Sequence, residues 1–191
     1  MDKTYIPNWL QTTVIYPFLK KWELLDDFEI RHFLRKERFH LETASLVFIV
    51  RGLLKQYHGY RQRMDGGHFI QFLQPEMFFI YEYHPCAPRL KILQSTDIVS
   101  LPLTLLEPCL LQDKIFRREL NDLLNLHYYS RPFLSDFLHE LADPDMRFRM
   151  LLDIYGENLL YLSEREIALF SGISDYKIHS YIYHHFIKDR Y

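Results

Sequence analysis

Two helix-start signals separated by one glycine stand near the C-terminal end of the chain. Ser163 and Glu166 have the Ser-x-x-Glu spacing of a capping box, in which each side chain accepts a hydrogen bond from the other residue's backbone N–H. Gly172 is placed to end the helix that follows, because glycine tolerates the left-handed conformation common at helix ends. Ser174 is then positioned to cap a second helix. This pattern predicts two short helices joined by a tight turn, the second running toward Phe186.

The spacing inside this segment constrains how the two helices pack. Two closely crossing helices need a small residue on the first, glycine in the turn and an apolar residue on the second. Ala168, Gly172 and Ile178 supply these in that order. The spacing favours a helix-turn-helix, and an ordinary helical hairpin with no nucleic-acid role is the alternative. The residues expected to form its small core are Ile167, Ile173, Ile178 and Tyr181.

The N-terminal part of the chain has a different pattern of apolar residues and turn signals. Residues 1–36 have apolar side chains at near-helical spacing, which predicts helix. From Phe39 to Leu101, short apolar runs alternate with turn signals, as in a β-sandwich or barrel. The predicted strands are 46–50, 68–73, 77–81, 89–93 and 97–101. Tight turns are expected at 58–59, 65–67 and 75–76, where glycine or proline occurs.

After Pro102 the pattern becomes helical again. A seam with alternating spacings of four and three residues consists of Phe116, Leu120, Leu123, His127, Ser130, Leu134, Phe137 and Leu141. Pro132 interrupts it and predicts a kink, because proline removes a helical hydrogen bond. Two interpretations remain open: a helix lying on its own β-domain, or a homodimer interface. Asp143 and Pro144 then have the cap and first-turn residues of another helix.

Composition excludes several classes of protein. The formal net charge is −2, without the basic surplus typical of DNA-binding proteins. No apolar run is long enough to span a membrane, and residues 1–11 do not resemble a signal peptide, so we expect a cytoplasmic protein. Two cysteines are too few for an iron–sulfur cluster, and the histidines lack a metal-site spacing. We predict no cofactor, no metal site and no enzymatic activity.

Three segments resemble the Crp/Fnr family of bacterial transcription regulators. They are the strand-Gly-strand stretch at 47–55, the strand and turn at 69–79, and the C-terminal helices at 143–178 with Ala168, Phe170, Gly172 and Ile173. The resemblance implies an α+β fold in which an N-terminal double-stranded β-helix, similar to cyclic-nucleotide-binding domains, precedes a long dimer helix and a helix-turn-helix. The implied domains are a sensor at 1–110, a connecting and dimerising helix at 111–142 and a DNA-binding part at 143–191. The implied partners are double-stranded DNA, a second copy of the chain and an unknown small-molecule effector.

The sequence departs from the family at both expected binding sites. Where cyclic-nucleotide binders of the family carry a Gly-Glu pair and an Arg followed by small residues, the only candidates are Glu82 and Arg89. We therefore predict that an effector, if these residues hold one, is not cyclic AMP. Family members often place Glu and Arg on the recognition helix, where this chain has Tyr176 and Ser180. The candidate DNA-binding residues are Arg165, Ser174, Tyr176, Lys177, His179 and Ser180.

Two functional hypotheses follow from this pattern. The first is a homodimeric transcription regulator in which an effector in the β-domain changes the spacing of two helix-turn-helix units. The second is a small-ligand sensor or protein-interaction protein that has kept the fold and lost DNA binding. The first is the leading hypothesis, because the spacing of Ala168, Gly172 and Ile178, the strand-rich N-terminal pattern and the seam between them support it. The near-neutral recognition helix and the incomplete nucleotide pocket favour the second.

Overall fold

The computed structural model describes residues 6–58, 68–82, 84, 87–125 and 133–188. Its helices are α1 (Asn8–Gln11), α2 (Tyr16–Lys21), α3 (Leu103–Gln112), α4 (Lys114–Leu124), α5 (Phe133–Glu140), α6 (Pro144–Tyr155), α7 (Glu164–Ser171) and α8 (Asp175–Ile182). Its strands are β1 (Glu29–Phe33), β2 (Ser45–His58), β3 (His68–Leu73), β4 (Phe78–Tyr81) and β5 (Arg89–Pro102). None of the helices within these ranges is long and apolar enough to cross a membrane.

The chain divides into two units. One consists of Met1–Gln56 and Phe72–Ser130, and the other of Tyr57–Gln71 and Arg131–Tyr191. The strands form a five-stranded sheet in the order β1-β5-β2-β3, with β4 paired to β2. The β1–β5 and β2–β4 pairs are antiparallel.

Strand β2 is buried on both faces within the first unit. Val47 and Ile49 belong to one apolar core, which also contains Phe39. Leu46 and Phe48 point the other way, into a second core that contains residues of the N-terminal helices and of α3 and α4. Because neither face meets water, the strand reads as a continuous apolar run rather than an alternating one.

Gly52 allows β2 to pass close to β5. Its φ is +97°, which L side chains rarely adopt, and a Cβ there would lie 2.5 Å from the carbonyl oxygen of Ser95. A side chain would therefore force the two backbones apart as well as strain the strand. The β2 strand runs through this glycine from Ser45 to His58 without interruption.

The helical prediction for residues 1–36 is wrong over β1. Two short helices and a 3₁₀ turn at Leu24–Asp27 are present, but Glu29–Phe33 is a strand. It pairs with β5, with Glu29 opposite Ser100 and Phe33 opposite Thr96. The local apolar spacing is compatible with helix, and only pairing with a distant segment decides for strand.

The predicted strands at 89–93 and 97–101 are one strand, β5. The intervening residues Gln94, Ser95 and Thr96 continue the strand and do not form a turn. The turn predicted at Pro75 and Glu76 is confirmed, and Glu76 has a positive φ of 69°. The turns predicted at 58–59 and 65–67, apart from His58 at the end of β2, lie outside the described residues, as does Pro132.

Helix α4 is attached to its own unit. The predicted connecting helix starting at residue 111 is not continuous there, because α3 ends at Gln112 and Asp113 is extended. Asp113 caps α4 by accepting hydrogen bonds from the N–H groups of Ile115 and Phe116. Phe116 and Leu120 are buried in the core that contains the N-terminal helices. For these two residues of the predicted seam, packing within the first unit accounts for the apolar side chains.

Candidate nucleic-acid interface

The capping box begins α7 as predicted. The Ser163 hydroxyl accepts the Glu166 N–H at 3.2 Å, and the Glu166 carboxylate accepts the Ser163 N–H at 2.9 Å. Gly172 ends the helix with a φ of 67°. A Cβ on Gly172 would lie 2.8 Å from a guanidinium nitrogen of Arg147, so both the backbone conformation and the close neighbour favour glycine.

Helix α8 begins at the predicted place for a different reason. Ser174 occupies its N-cap position, but among the described residues the Ser174 hydroxyl accepts no hydrogen bond from the start of the helix. Asp175 lies in the first turn, where its negative charge interacts favourably with the helix dipole. The Ser174 carbonyl accepts the first helical bond from Ile178 at 3.0 Å.

The predicted small core is largely confirmed. Ile167, Ile173 and Ile178 are buried, and Ala168 is buried on the first helix of the pair. Tyr181 is partly buried, but its ring stacks on Phe148 of α6 at 4.7 Å between centroids. The inner side of α8 is therefore held by α6 as well as by α7.

Tyr181 also joins α8 to the start of α6 through its hydroxyl. That hydroxyl donates a hydrogen bond to the Asp145 carboxylate. Burial of the ring, followed by this bond and the nearby negative charge, raises the pKa of Tyr181 to about 12. The neutral form of the side chain is thus the one that the fold stabilises.

The candidate DNA-binding residues lie along α8 and on α7. Five are exposed and Ser180 is half-buried; the exposed ones are Arg165, Ser174, Tyr176, Lys177 and His179. His179 is not free, because its Nδ1 lies 2.8 Å from a carboxylate oxygen of Glu164 at the start of α7. Within the described part of the chain, Arg165 and Lys177 form no ion pair, so their charges remain available to an anion.

Arg147, which the sequence pattern did not single out, holds the end of α7. Its Nε donates a hydrogen bond to the carbonyl of Leu141 at 2.6 Å. Its Nη1 donates to the carbonyls of Gly172 at 2.9 Å and Ser171 at 3.3 Å. Its Nη2 donates to His139 at 3.4 Å. One guanidinium therefore satisfies carbonyl groups at the ends of both α5 and α7, where a positive charge also interacts favourably with the helix dipoles.

Helix α5 makes further contacts with the same end of α7. The Ser135 hydroxyl donates to the carbonyl of Phe170 at 2.7 Å.

The position of Arg147 offers one sequence signal of its role. Arg147 precedes the buried Leu151 by one helical turn and the buried Tyr155 by two, so it stands on the apolar side of α6, where a charged residue needs partners.

The candidate effector residues lie in the first unit. Glu82 follows β4 and Arg89 begins β5, and both side chains are exposed. Cys86, between them, lies outside the described residues. Across the ranges that the structure covers, no cluster of three His, Cys, Asp or Glu residues is arranged to hold a metal ion.

No protein-family model and no curated protein sequence matches this chain. Solved structures do. FixK2 from Bradyrhizobium japonicum has a TM-score of 0.62 at 15% identity, with 82% of this chain and 85% of that chain covered. A putative Crp/Fnr regulator from Eubacterium rectale has a TM-score of 0.60 at 14% identity, with 94% and 86% covered. A CooA mutant from Carboxydothermus hydrogenoformans has a TM-score of 0.59 at 14% identity, with 94% and 83% covered. The resemblance seen in the sequence is thus confirmed at the level of structure: this chain has the fold of the Crp/Fnr family of transcription regulators.

Proposed function

We propose that this chain is a Crp/Fnr-type transcription regulator that binds double-stranded DNA as a homodimer through α7 and α8. The observation that carries the proposal is the contrast between the two sides of α8. Ile178 is fully buried, whereas Tyr176 is 86% exposed and Lys177 faces solvent. A helix held on one side and exposed on the other can enter a major groove without rearranging its own unit.

The candidate residues divide into two roles by their chemistry. Arg165 and Lys177 carry exposed positive charges suited to phosphate oxygens. Ser174 stands at the N-terminus of α8, where polar groups commonly contact the DNA backbone. The groups suited to base edges are those of Tyr176, His179 and Ser180. An interface with two such cations is expected to bind DNA with a shallow dependence on salt.

Sensing and dimerisation are assigned to the parts of the chain that precede α6. We assign residues 1–110 to the sensor, 111–142 to the connecting and dimerising segment and 143–191 to DNA binding, in a cytoplasmic protein. Glu82 and Arg89 are the proposed effector contacts, and the bulky Leu90 and Lys91 after the arginine argue against cyclic AMP. The exposed apolar side chains of Leu111 and Ile115 are available to a second copy of the chain.

A second candidate is a sensor or protein-interaction protein without DNA binding. The charge balance favours it, because residues 163–191 contain equal numbers of acidic and basic side chains. These are Glu164, Glu166, Asp175 and Asp189 against Arg165, Lys177, Lys188 and Arg190. Such a segment attracts a phosphate backbone only weakly.

Binding of the purified full chain to random-sequence duplex DNA at low and moderate salt distinguishes the two candidates. The regulator is expected to enrich a two-fold symmetric sequence and to lose affinity as salt rises. Lys177→Ala should weaken binding across all sequences, whereas Arg149→Ala, which removes an exposed cation from α6, should not. Absence of binding at low salt by a folded, dimeric protein would rule out the regulator and favour the second candidate.

A further inference from the structure

The outward side of α8 presents tyrosine rings rather than the usual base-reading groups. Tyr176 is 86% exposed, and Tyr183, which directly follows the last residue of α8 and continues its helical path, is 48% exposed. Ser180 lies between them in the same row, at i+4 from the first tyrosine. The buried Ile178 marks the opposite side of the helix. The groups that a partner of α8 would meet first are thus two aromatic rings and a hydroxyl.

Helix α8 lacks most of the side chains that are used for direct base readout. The α8 sequence DYKIHSYI contains no Arg, Asn or Gln. Adenine is commonly read by the paired amide of Asn or Gln, and guanine by the fork of Arg or by Lys. Lys177 is the single long cation in α8, and its position beside Tyr176 suits a phosphate. Base discrimination at this surface therefore depends on the tyrosines, on His179 and on Ser180.

A tyrosine ring has one natural target in the major groove. Thymine alone carries a C5-methyl group there, and apolar side-chain surface contacts that methyl. A ring that packs on the methyl withdraws apolar area from water, while its hydroxyl stays near polar base edges. Cytosine, guanine and adenine carry no methyl group in the major groove and give a ring no equivalent apolar contact.

We propose that Tyr176 and Tyr183 recognise thymine methyl groups, so that the DNA sequences bound by this protein are rich in A·T pairs at the positions facing α8. This inference rests on the proposed function. Tyr176 carries most of it, because residues near the N-terminus of a recognition helix reach base edges. Tyr183 comes seven positions after Tyr176, which is about 10 Å along the helix. At about 3.4 Å per base pair, that spacing corresponds to thymines roughly three base pairs apart.

The test replaces thymine by deoxyuridine, which removes only the methyl group, in a duplex selected by the wild-type protein. At a contacted position the wild type should lose about fourfold in affinity, the effect expected from one methyl group no longer withdrawn from water. Tyr176→Ala should bind the thymine and uracil duplexes equally, and Tyr176→Phe should keep the discrimination because the ring is retained. Circular dichroism should show that both variants are folded, since the side chain is exposed.

The outcomes separate this inference from the function on which it rests. Binding to selected sites that are rich in G·C pairs, or wild-type binding that ignores the loss of thymine methyls, would overturn the tyrosine readout and leave DNA binding intact. A loss of discrimination in Tyr176→Phe as large as in Tyr176→Ala would assign the readout to the hydroxyl and overturn the methyl contact. Absence of any salt-dependent binding would overturn both proposals.

Discussion

The guanidinium of Arg147 donates a hydrogen bond to the carbonyl of Gly172 at 2.9 Å. A residue of α6 thereby holds the tight turn between α7 and α8. The same side chain donates to the carbonyl of His139 in the last turn of α5 and to that of Leu141 just after it. The orientation of α8 against α7 therefore depends on a residue that lies outside this helix pair.

Replacing Arg147 by Ala is expected to destabilise the second unit. The change leaves carbonyl groups at two helix ends without their donor, and such a loss costs about 1–3 kcal/mol. Arg147→Lys should recover only part of the stability, because an ammonium cannot reproduce the fork of a guanidinium. Urea denaturation of both variants, with Arg149→Ala as a matched control, measures the effect. Equal stability of the Arg147 and Arg149 alanine variants would contradict this role.

The two serines at the helix starts should differ in their contribution to stability. Ser163 accepts a backbone hydrogen bond in the capping box, so Ser163→Ala should lower the free energy of unfolding by about 1 kcal/mol. The Ser174 hydroxyl has no such bond among the described residues, so Ser174→Ala should change stability little. Thermal denaturation of the Ser163→Ala and Ser174→Ala variants compares the two contributions directly. A larger loss at Ser174 would show that its side chain does cap α8.

The Tyr181–Asp145 hydrogen bond predicts a dependence of stability on alkaline pH. The pKa of Tyr181 is raised from 10.0 to about 12 in the folded protein. A raised pKa means that the stabilisation is fully present below about pH 10 and is lost as the pH approaches 12. The difference in unfolding free energy between wild type and Tyr181→Phe should therefore narrow over that range. A constant difference from pH 8 to pH 12 would contradict the coupling.

Phe69 is expected to support the packing of α6 and α7. Its ring contacts Phe170 of α7 at 4.9 Å and Tyr155 of α6 at 5.9 Å, and all three are buried. Phe69→Ala should create a cavity that costs about 3–5 kcal/mol and lower hydrogen-exchange protection in α7. Phe39→Ala, in the core of the first unit, is the matched control and should affect the strands there. Unchanged protection of α7 in Phe69→Ala would contradict the assignment.

The two sides of α4 should behave differently in a dimer. Ile115 is 58% exposed, so Ile115→Asp should leave the fold intact and shift sedimentation toward the monomer. The adjacent Phe116 is fully buried, so Phe116→Ala should lower stability by about 3–5 kcal/mol. A stable dimer in Ile115→Asp would move the interface away from this side of α4.

The features that the sequence predicted correctly are those set by neighbouring residues. The start of α7, the end of α7 at Gly172 and the start of α6 at Asp143 each depend on a side chain within a few positions of the backbone group that it serves. Helix starts and ends of this kind can be predicted from the sequence, because the interacting groups are only a few residues apart along the chain. The buried residues of the helix-turn-helix followed from their spacing for the same reason.

What only the tertiary structure decided involves partners far apart along the chain. Glu29–Phe33 is a strand because it pairs with β5, although its own spacing is compatible with helix. The α4 side chain of Phe116 faces its own unit because the N-terminal helices supply the rest of that core. Arg147 serves the end of α7 because folding brings α6 beside it. In each case the free energy comes from pairing or packing between segments whose meeting no local pattern specifies.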